Sequence, residues 1–75
     1  MPSKSELNLT GVAWPMCLLK FKSALQNLCS KEVLEVLAGD PDVVENIILI
    51  VDRSADRVVN QRKEGETYRI SIEKT

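Results

Sequence analysis

Hydrophobic and polar positions change their period several times along the chain, and each change predicts a new element. A short alternating segment from Glu6 to Thr10 predicts a first strand. Apolar residues then recur at steps of three and four, which predicts an amphipathic helix from about Pro15 to Leu28. Pro15 suits the first helical position, where its missing N–H is no loss. The apolar face of this helix consists of Leu18, Phe21, Leu25 and Leu28.

The middle of the chain repeats the order of strand and helix. The segment Lys31 to Ala38 is rich in leucine and β-branched residues and predicts a second strand. Asp40 is a good N-cap and Pro41 a good first helical residue, so a second helix is predicted from there to about Arg53. The buried face of the strand is predicted to carry Leu34, Val36 and Ala38. The polar side of the helix is predicted to carry Asp42, Asn46, Leu49 and Arg53.

The last third of the chain predicts a hairpin. Arg57 to Arg62 forms its first strand, Lys63 to Gly65 the turn and Thr67 to Lys74 the second strand. The order is therefore βαβαββ, and right-handed crossovers put both helices on the same face of the sheet. This is an α+β two-layer sandwich. The other sheet face stays comparatively open, with Val33, Leu37 and Val59 among polar neighbours.

Length and charge limit the classes of function. We expect the 75 residues, 1–75, to form a single domain, which buries only roughly 60% of its unfolded surface and has little room for an enclosed active site. Ten basic and eleven acidic residues are spread along the chain, which argues against nucleic-acid binding. The N-terminus has no apolar core of a signal peptide, and the apolar run from Ile47 to Val51 is too short to span a membrane. We therefore expect a soluble, cytoplasmic protein.

The chain has two cysteines and no histidine. Histidine-based triads are therefore absent, and two cysteines do not complete a four-ligand zinc site, so neither a metal nor another cofactor is expected. Cys17 and Cys29 lie twelve residues apart, about 18 Å along one helix. A disulfide needs Cα atoms within about 7 Å, so two reduced thiols are predicted.

Several short motifs follow one another along almost the whole chain. Leu7 to Gly11 reads L-x-x-x-G, and Trp14-Pro15-Met16-Cys17 opens the first helix. The further motifs are Lys20 and Lys22 on that helix, Asp40-Pro41 with Ile47 after it, and the closing strand from Tyr68 to Lys74. In this order they resemble the TusA/SirA-like family of small sulfur-carrier proteins. The resemblance implies a βαβαββ fold with a mixed four-stranded sheet.

The activity that the resemblance implies depends on a Cys-Pro-x-Pro motif. Its cysteine takes a persulfide sulfur from a cysteine desulfurase and passes it to the next carrier, in the best-known branch towards tRNA thiolation. Here Trp14 occupies the position of that cysteine, Pro15 is kept, and Cys17 occupies the second proline position. Two further departures are Lys31, where the family has glycine, and Ala55-Asp56, where it has Gly-His.

Cys17 and Trp14 each have a structural and a functional interpretation. Cys17 lies in the first helical turn, where backbone N–H groups and the helix dipole favour a thiolate. It also lies beside the apolar face, so our first interpretation is a small buried hydrophobic residue and our second a reactive thiol. For Trp14 the first interpretation is packing over the seam between helix and sheet, and the second is an exposed anchor for a partner.

Three functions remain open at this point. The first is a family member that has lost the sulfur-bearing cysteine and binds a protein partner, of which a cysteine desulfurase and a downstream sulfur carrier are the implied kinds. Its candidate binding residues are Trp14, Pro15, Met16, Lys20 and Lys22. The second is an active persulfide carrier that uses Cys17 as its catalytic thiol. The third is a small regulatory or nucleic-acid-binding domain, which the balanced charge disfavours.

Overall fold

A computed structural model describes residues 4–75 and contains two helices and four strands in the predicted order. The elements are β1 (Lys4–Asn8), α1 (Met16–Gln26), β2 (Val33–Ala38), α2 (Pro41–Arg53), β3 (Arg57–Glu64) and β4 (Thr67–Glu73). The four strands form one sheet in the order β1-β2-β4-β3. β1 and β2 are parallel, whereas β4 is antiparallel to both of its neighbours. The predicted α+β sandwich with a mixed four-stranded sheet is confirmed.

One hydrophobic core lies between the sheet and the two helices. The predicted inward face of β2 is confirmed, because Leu34, Val36 and Ala38 are all buried. The other core side chains include Phe21 and Leu25 from α1, Val44, Ile47 and Val51 from α2, and Ile70 and Ile72 from β4. The register aligns Leu34 with Ile72 and Val36 with Ile70, so the central strands present one continuous apolar surface to the helices.

The predicted start of α2 is confirmed in detail. Asp40 precedes the helix, and its Oδ1 accepts the backbone N–H of Asp42 at 2.8 Å. Pro41 is the first helical residue, where no N–H is needed. Asp42 in the first turn and Arg53 in the last turn also match the polarity of the helix dipole. The position of α2 is therefore fixed by local sequence as well as by the core.

The predicted start of α1 was one residue early. Pro15 lies just before the helix with φ −93° and ψ 10°, after a cis peptide bond from Trp14, and the helix begins at Met16. The N–H of Cys17 already reaches back to the carbonyl of Ala13 at 3.1 Å. The helix ends at Gln26, although Leu28 beyond it is still buried. An apolar period alone does not distinguish a helical residue from a turn residue that packs on the same core.

The strand boundaries also shift by one to two residues. β1 occupies Lys4–Asn8 instead of residues 6–10, because the Asn8 side chain accepts the N–H of Thr10 at 2.9 Å and turns the chain. β2 begins at Val33, since Lys31 has φ +72° and leaves the extended region. β3 continues to Glu64, so the hairpin turn is only Gly65-Glu66, with Gly65 at φ +64°. Glycine adopts this left-handed conformation without strain.

The sheet face away from the helices was predicted to stay comparatively open, and an ion pair lies at its centre. Glu35 of β2 is 6% exposed and pairs with Arg69 of β4. Arg69 also donates from Nε to Glu64 of β3 at 3.1 Å. The hydrogen bonds to Glu64 and Glu35 raise the pKa of Arg69 above its ordinary value. Three strands are thereby linked across a face that no helix covers.

β3 is an edge strand with an irregular ladder. Its register shifts between Val58 and Asn60, so the intervening Val59 has no partner on β4. Val59 is 47% exposed, and the strand beyond it carries Arg62, Lys63 and Glu64. The outer edge of the sheet is therefore bulged and charged.

Asp56 ties the C-terminal residue to the end of α2. Its carboxylate accepts the Thr75 N–H at 2.9 Å and the Ser54 hydroxyl at 2.7 Å, and Lys74 Nζ lies 3.9 Å away. The hydroxyl of Thr75 donates to the carbonyl of Ala55. Burial by itself would raise the pKa of Asp56, but the hydrogen bonds and the nearby ammonium lower it below its ordinary value.

We expect Asp56→Asn to lower the free energy of unfolding at neutral pH by about 1–2 kcal/mol, because an amide does not satisfy all of these donors. The pKa of Asp56 is lowered in the folded state, so its ionised form contributes stability above the ordinary carboxyl pKa of about 3.9. That contribution is lost as the pH falls through the folded value. Urea unfolding measured from neutral to acidic pH should therefore show the difference between wild type and variant shrinking in acid. A constant difference would contradict the assignment.

Lys31 and Ala55, where the resemblance leads us to expect glycine, both have positive φ, +72° and +62°. A left-handed conformation costs a non-glycine residue roughly 1–2 kcal/mol, a cost that glycine does not have. Glycine also increases the conformational entropy of the unfolded chain, which offsets part of this gain in stability. We expect Lys31→Gly and Ala55→Gly each to raise the free energy of unfolding by about 0.5–1 kcal/mol in urea titrations. Ala24→Gly, inside α1, is the control and should destabilise the protein. Destabilisation by all three variants would contradict the backbone argument.

Candidate functional site

The loop between β1 and α1, residues 9–15, carries the most exposed aromatic side chain of the described residues. Leu9 anchors its start, because its side chain is buried and its N–H donates to the Leu37 carbonyl at 2.8 Å. Val12 N–H bonds the Leu9 carbonyl at 3.1 Å, around Gly11 at φ +79°. Trp14 then projects outwards and is 57% exposed. This exposure agrees with the second interpretation of Trp14 more than with packing over the seam, and its role as an anchor for a partner stays a prediction.

The two thiols lie in different environments. Cys17 is 1% exposed and belongs to the core cluster with Phe21 and Leu25. Cys29 lies beyond the end of α1 and is exposed, and neither cysteine is in a disulfide. The loop at residues 9–15 contains no cysteine, and its largest exposed side chain is the indole of Trp14.

A depression of about 600 Å³ lies between this loop and the start of α2. Its walls include Val12, Trp14, Asp40, Asp42, Val43 and Asn46. The loop supplies the apolar and aromatic side, and the N-cap and first turn of α2 supply the two carboxylates, Asp40 and Asp42.

A second depression of about 270 Å³ lies between the outer surfaces of α1 and α2. Its walls are Leu18, Lys22, Asn46, Leu49, Ile50 and Arg53. Asn46 lines both depressions, so the two adjoin at this residue on α2. We call the two depressions together the interhelix groove.

The interhelix groove has opposite charge at its two ends. Asp40 and Asp42 line the end beside the loop, whereas Lys22 and Arg53 line the end beside the last turn of α2. Within residues 4–75 none of these four side chains takes part in an ion pair. Asp42 and Arg53 are eleven residues apart on one helix, which corresponds to roughly 16 Å.

The groove brings together only part of the predicted site. Trp14 and Lys22 line it. Pro15, Met16 and Lys20 are exposed but do not contribute to its walls, and Cys17 lies in the core. The remaining wall residues, which were not among the predicted site residues, come mostly from α2. Their signal was present, since Asp42, Asn46, Leu49 and Arg53 were all predicted on the polar side of that helix.

Two kinds of feature are missing from the part of the chain that the structure describes. No cluster of three or more cysteine and acidic side chains among residues 4–75 could hold a metal ion. No helix in the same range combines the length and the hydropathy needed to cross a bilayer.

Comparison with known proteins agrees with this fold. Residues 5–74 match the family model described as sulfurtransferase TusA. The chain belongs to the TusA family. This match spans all six elements of the fold except the first residue of β1, so the family assignment covers the groove as well as the core.

Individual TusA family members are related to the chain over most of their length. The sulfur carrier protein TusA of Allochromatium vinosum is 27% identical over 70 residues, which cover 93% of this chain and 92% of the relative. A relative from Halobacterium salinarum is 33% identical over 70 residues and is covered to 86%. A SirA-like protein from Desulfitobacterium hafniense has the same fold, with a TM-score of 0.81 over 95% of this chain and 96% of that one, at 16% identity.

The burial of the two thiols predicts their reactivity in this TusA family member. We expect iodoacetamide to alkylate Cys29 at least about 100-fold faster than Cys17, because Cys17 is reached only when the fold opens. Mass spectrometry of digested samples over time measures both rates. In urea above the unfolding midpoint the two rates should converge, which is the internal control. Comparable rates in buffer would mean that Cys17 is accessible in the native state.

Proposed function

We propose that this protein is a TusA family member that binds a protein partner without carrying sulfur itself, and that it acts in a sulfur-transfer system in the cytoplasm. The observation that carries the proposal is Trp14, which stands at the position of the family's sulfur-bearing cysteine and is 57% exposed. The loop thus keeps an accessible side chain for a partner but has no thiol to modify.

The chemistry of sulfur transfer supports this proposal. An acceptor thiolate attacks the outer sulfur of the donor's persulfide, a new S–S bond forms, the donor's S–S bond breaks, and the donor thiolate leaves. The acceptor sulfur must therefore be exposed to a second protein. Cys17 is 1% exposed, and Cys29 lies at the opposite end of α1 from the loop. Neither thiol replaces the missing one.

The surroundings of Trp14 support a role in docking. Met16 is 49% exposed directly after the loop, and Lys20 and Lys22 are exposed on α1. Tryptophan is enriched among the residues that dominate protein interfaces, and exposed lysines accelerate association with an acidic surface. The proposed partners are a cysteine desulfurase or a downstream sulfur carrier. The Allochromatium relative is itself named as a sulfur carrier, which supports this setting.

The proposal predicts that a cysteine desulfurase supplied with cysteine adds no sulfur to this protein. Intact-mass and peptide mass spectrometry measure the adduct, with the Allochromatium TusA protein as the positive control. Trp14→Cys, made in a Cys17→Ala/Cys29→Ser background, should gain one sulfur atom, because it restores a single exposed thiol on the loop. The background alone is the matched control. A persulfide on Cys17 of the wild-type protein, lost in Cys17→Ala, would instead support the active carrier.

Binding is tested in the same assay by competition. A protein that docks on the desulfurase but accepts no sulfur should slow the sulfur loading of the Allochromatium carrier when added in excess. Trp14→Ala should reduce this inhibition, whereas Val59→Ala, a change at the outer edge of the sheet, should not. Absence of inhibition would rule out the desulfurase as the shared partner. Binding of RNA or DNA in fluorescence anisotropy would support the third function in place of this one.

A further inference from the structure

We propose that the interhelix groove binds an amphipathic helix of a partner protein, with basic residues over Asp40 and Asp42 and acidic residues over Lys22 and Arg53. This inference rests on the proposed protein-binding role and adds the chemistry of the partner segment. It follows from three properties of the groove, which are its shape, its apolar walls and the separation of its charges.

The shape and the walls favour a helix as the occupant. The groove runs along α2, with the loop at residues 9–15 on its other side at one end and α1 at the other, and its apolar lining includes Val12, Leu18, Leu49 and Ile50. Leu49 is 54% exposed. An amphipathic helix places an apolar face into a groove of this kind.

The charges define the polarity of the partner helix. The first depression has carboxylates and no cation among its lining residues, and the second has Lys22 and Arg53 and no anion. None of these groups is neutralised by an ion pair within the described residues. The two ends are roughly 16 Å apart, so the complementary charges must lie about three helical turns apart on the partner. A partner helix whose positive and negative charges are mixed would place like charges opposite each other at the ends of the groove, so it would bind more weakly.

The test uses two designed peptides of about 15 residues that form helices with the same leucine face and contain no aromatic residue. In the first peptide, lysines occupy one end and glutamates the other. In the second, the same residues alternate, so that each end is neutral. Trp14 is the only tryptophan of the chain and lines the groove, so its fluorescence reports binding directly. We expect the first peptide to bind at least about fivefold more tightly at low salt, an advantage that salt removes.

Variants that each neutralise one charged side chain test where the peptide binds. Asp42→Asn and Arg53→Gln should each weaken the first peptide roughly two- to fivefold, the range of an exposed ion pair. The matched controls are Glu45→Gln on the same helix and Arg57→Gln on β3, neither of which lines the groove, and both should leave the affinity unchanged. Leu49→Ser should weaken both peptides.

Several outcomes would overturn the inference. Equal affinity for the two peptides, no binding of either, or equal effects of the groove and control variants would each do so. Sedimentation equilibrium tests the remaining occupant, and a dimer that Leu49→Ser dissociates would assign the groove to a second copy. Failure with the peptides, together with retained inhibition of sulfur loading, would reject the groove inference alone. Binding of the peptides as expected, together with no inhibition of sulfur loading, would reject the desulfurase as partner and leave the groove inference supported.

Discussion

A four-stranded sheet with one apolar face needs that face covered, and among residues 4–75 the two helices α1 and α2 cover it. The centre of the face is formed by β2 and β4, whose side chains Leu34, Val36, Ala38, Ile70 and Ile72 are buried. α1 therefore has to turn its most apolar stripe inwards, and Cys17 lies on that stripe with Phe21 and Leu25. The burial of Cys17 follows from this constraint, whereas Trp14 lies in the loop before the helix and is exposed.

The same constraint explains how the surface features arise. Because both helices lie on one face, their outer surfaces meet and leave a groove that neither helix forms alone. The opposite face of the sheet is left without a cover, and there the chain uses an ion pair between Glu35 and Arg69 in place of apolar packing. Arg69 also bonds Glu64 of β3, so this pair belongs to a link across three strands of the open face.

Most of the fold could be predicted because it is encoded locally. The alternation in β2 and the Asp40-Pro41 start of α2 each need only a few adjacent residues, and both were correct. The start of α1 was predicted one residue early because Pro15 fits both a helical position and the turn before it. The pairing of Glu35 with Arg69 depends on strands 34 residues apart in sequence, which no local pattern specifies.

The candidate site was predicted less completely for the same reason. Trp14 lies outside the apolar period, so the sequence left its direction open, and only the packed loop settles that it points outwards. The α2 residues Asp42, Asn46, Leu49 and Arg53, which line the groove, were correctly predicted on the polar side of that helix. Their meeting with Lys22 and Trp14 depends on the relative placement of two helices and a loop. Periodicity predicts which side of an element is exposed, but it does not predict which exposed sides become neighbours.

The bulge at Val59 has a consequence for the behaviour of the protein at high concentration. An open edge strand offers unpaired N–H and C=O groups on which a neighbouring molecule can add a further strand, and this is the usual beginning of sheet-to-sheet aggregation. β3 interrupts that row of groups with a register shift and places Arg62 and Lys63 next to it. Pairing of a neighbouring molecule with the backbone of this edge is thereby disfavoured.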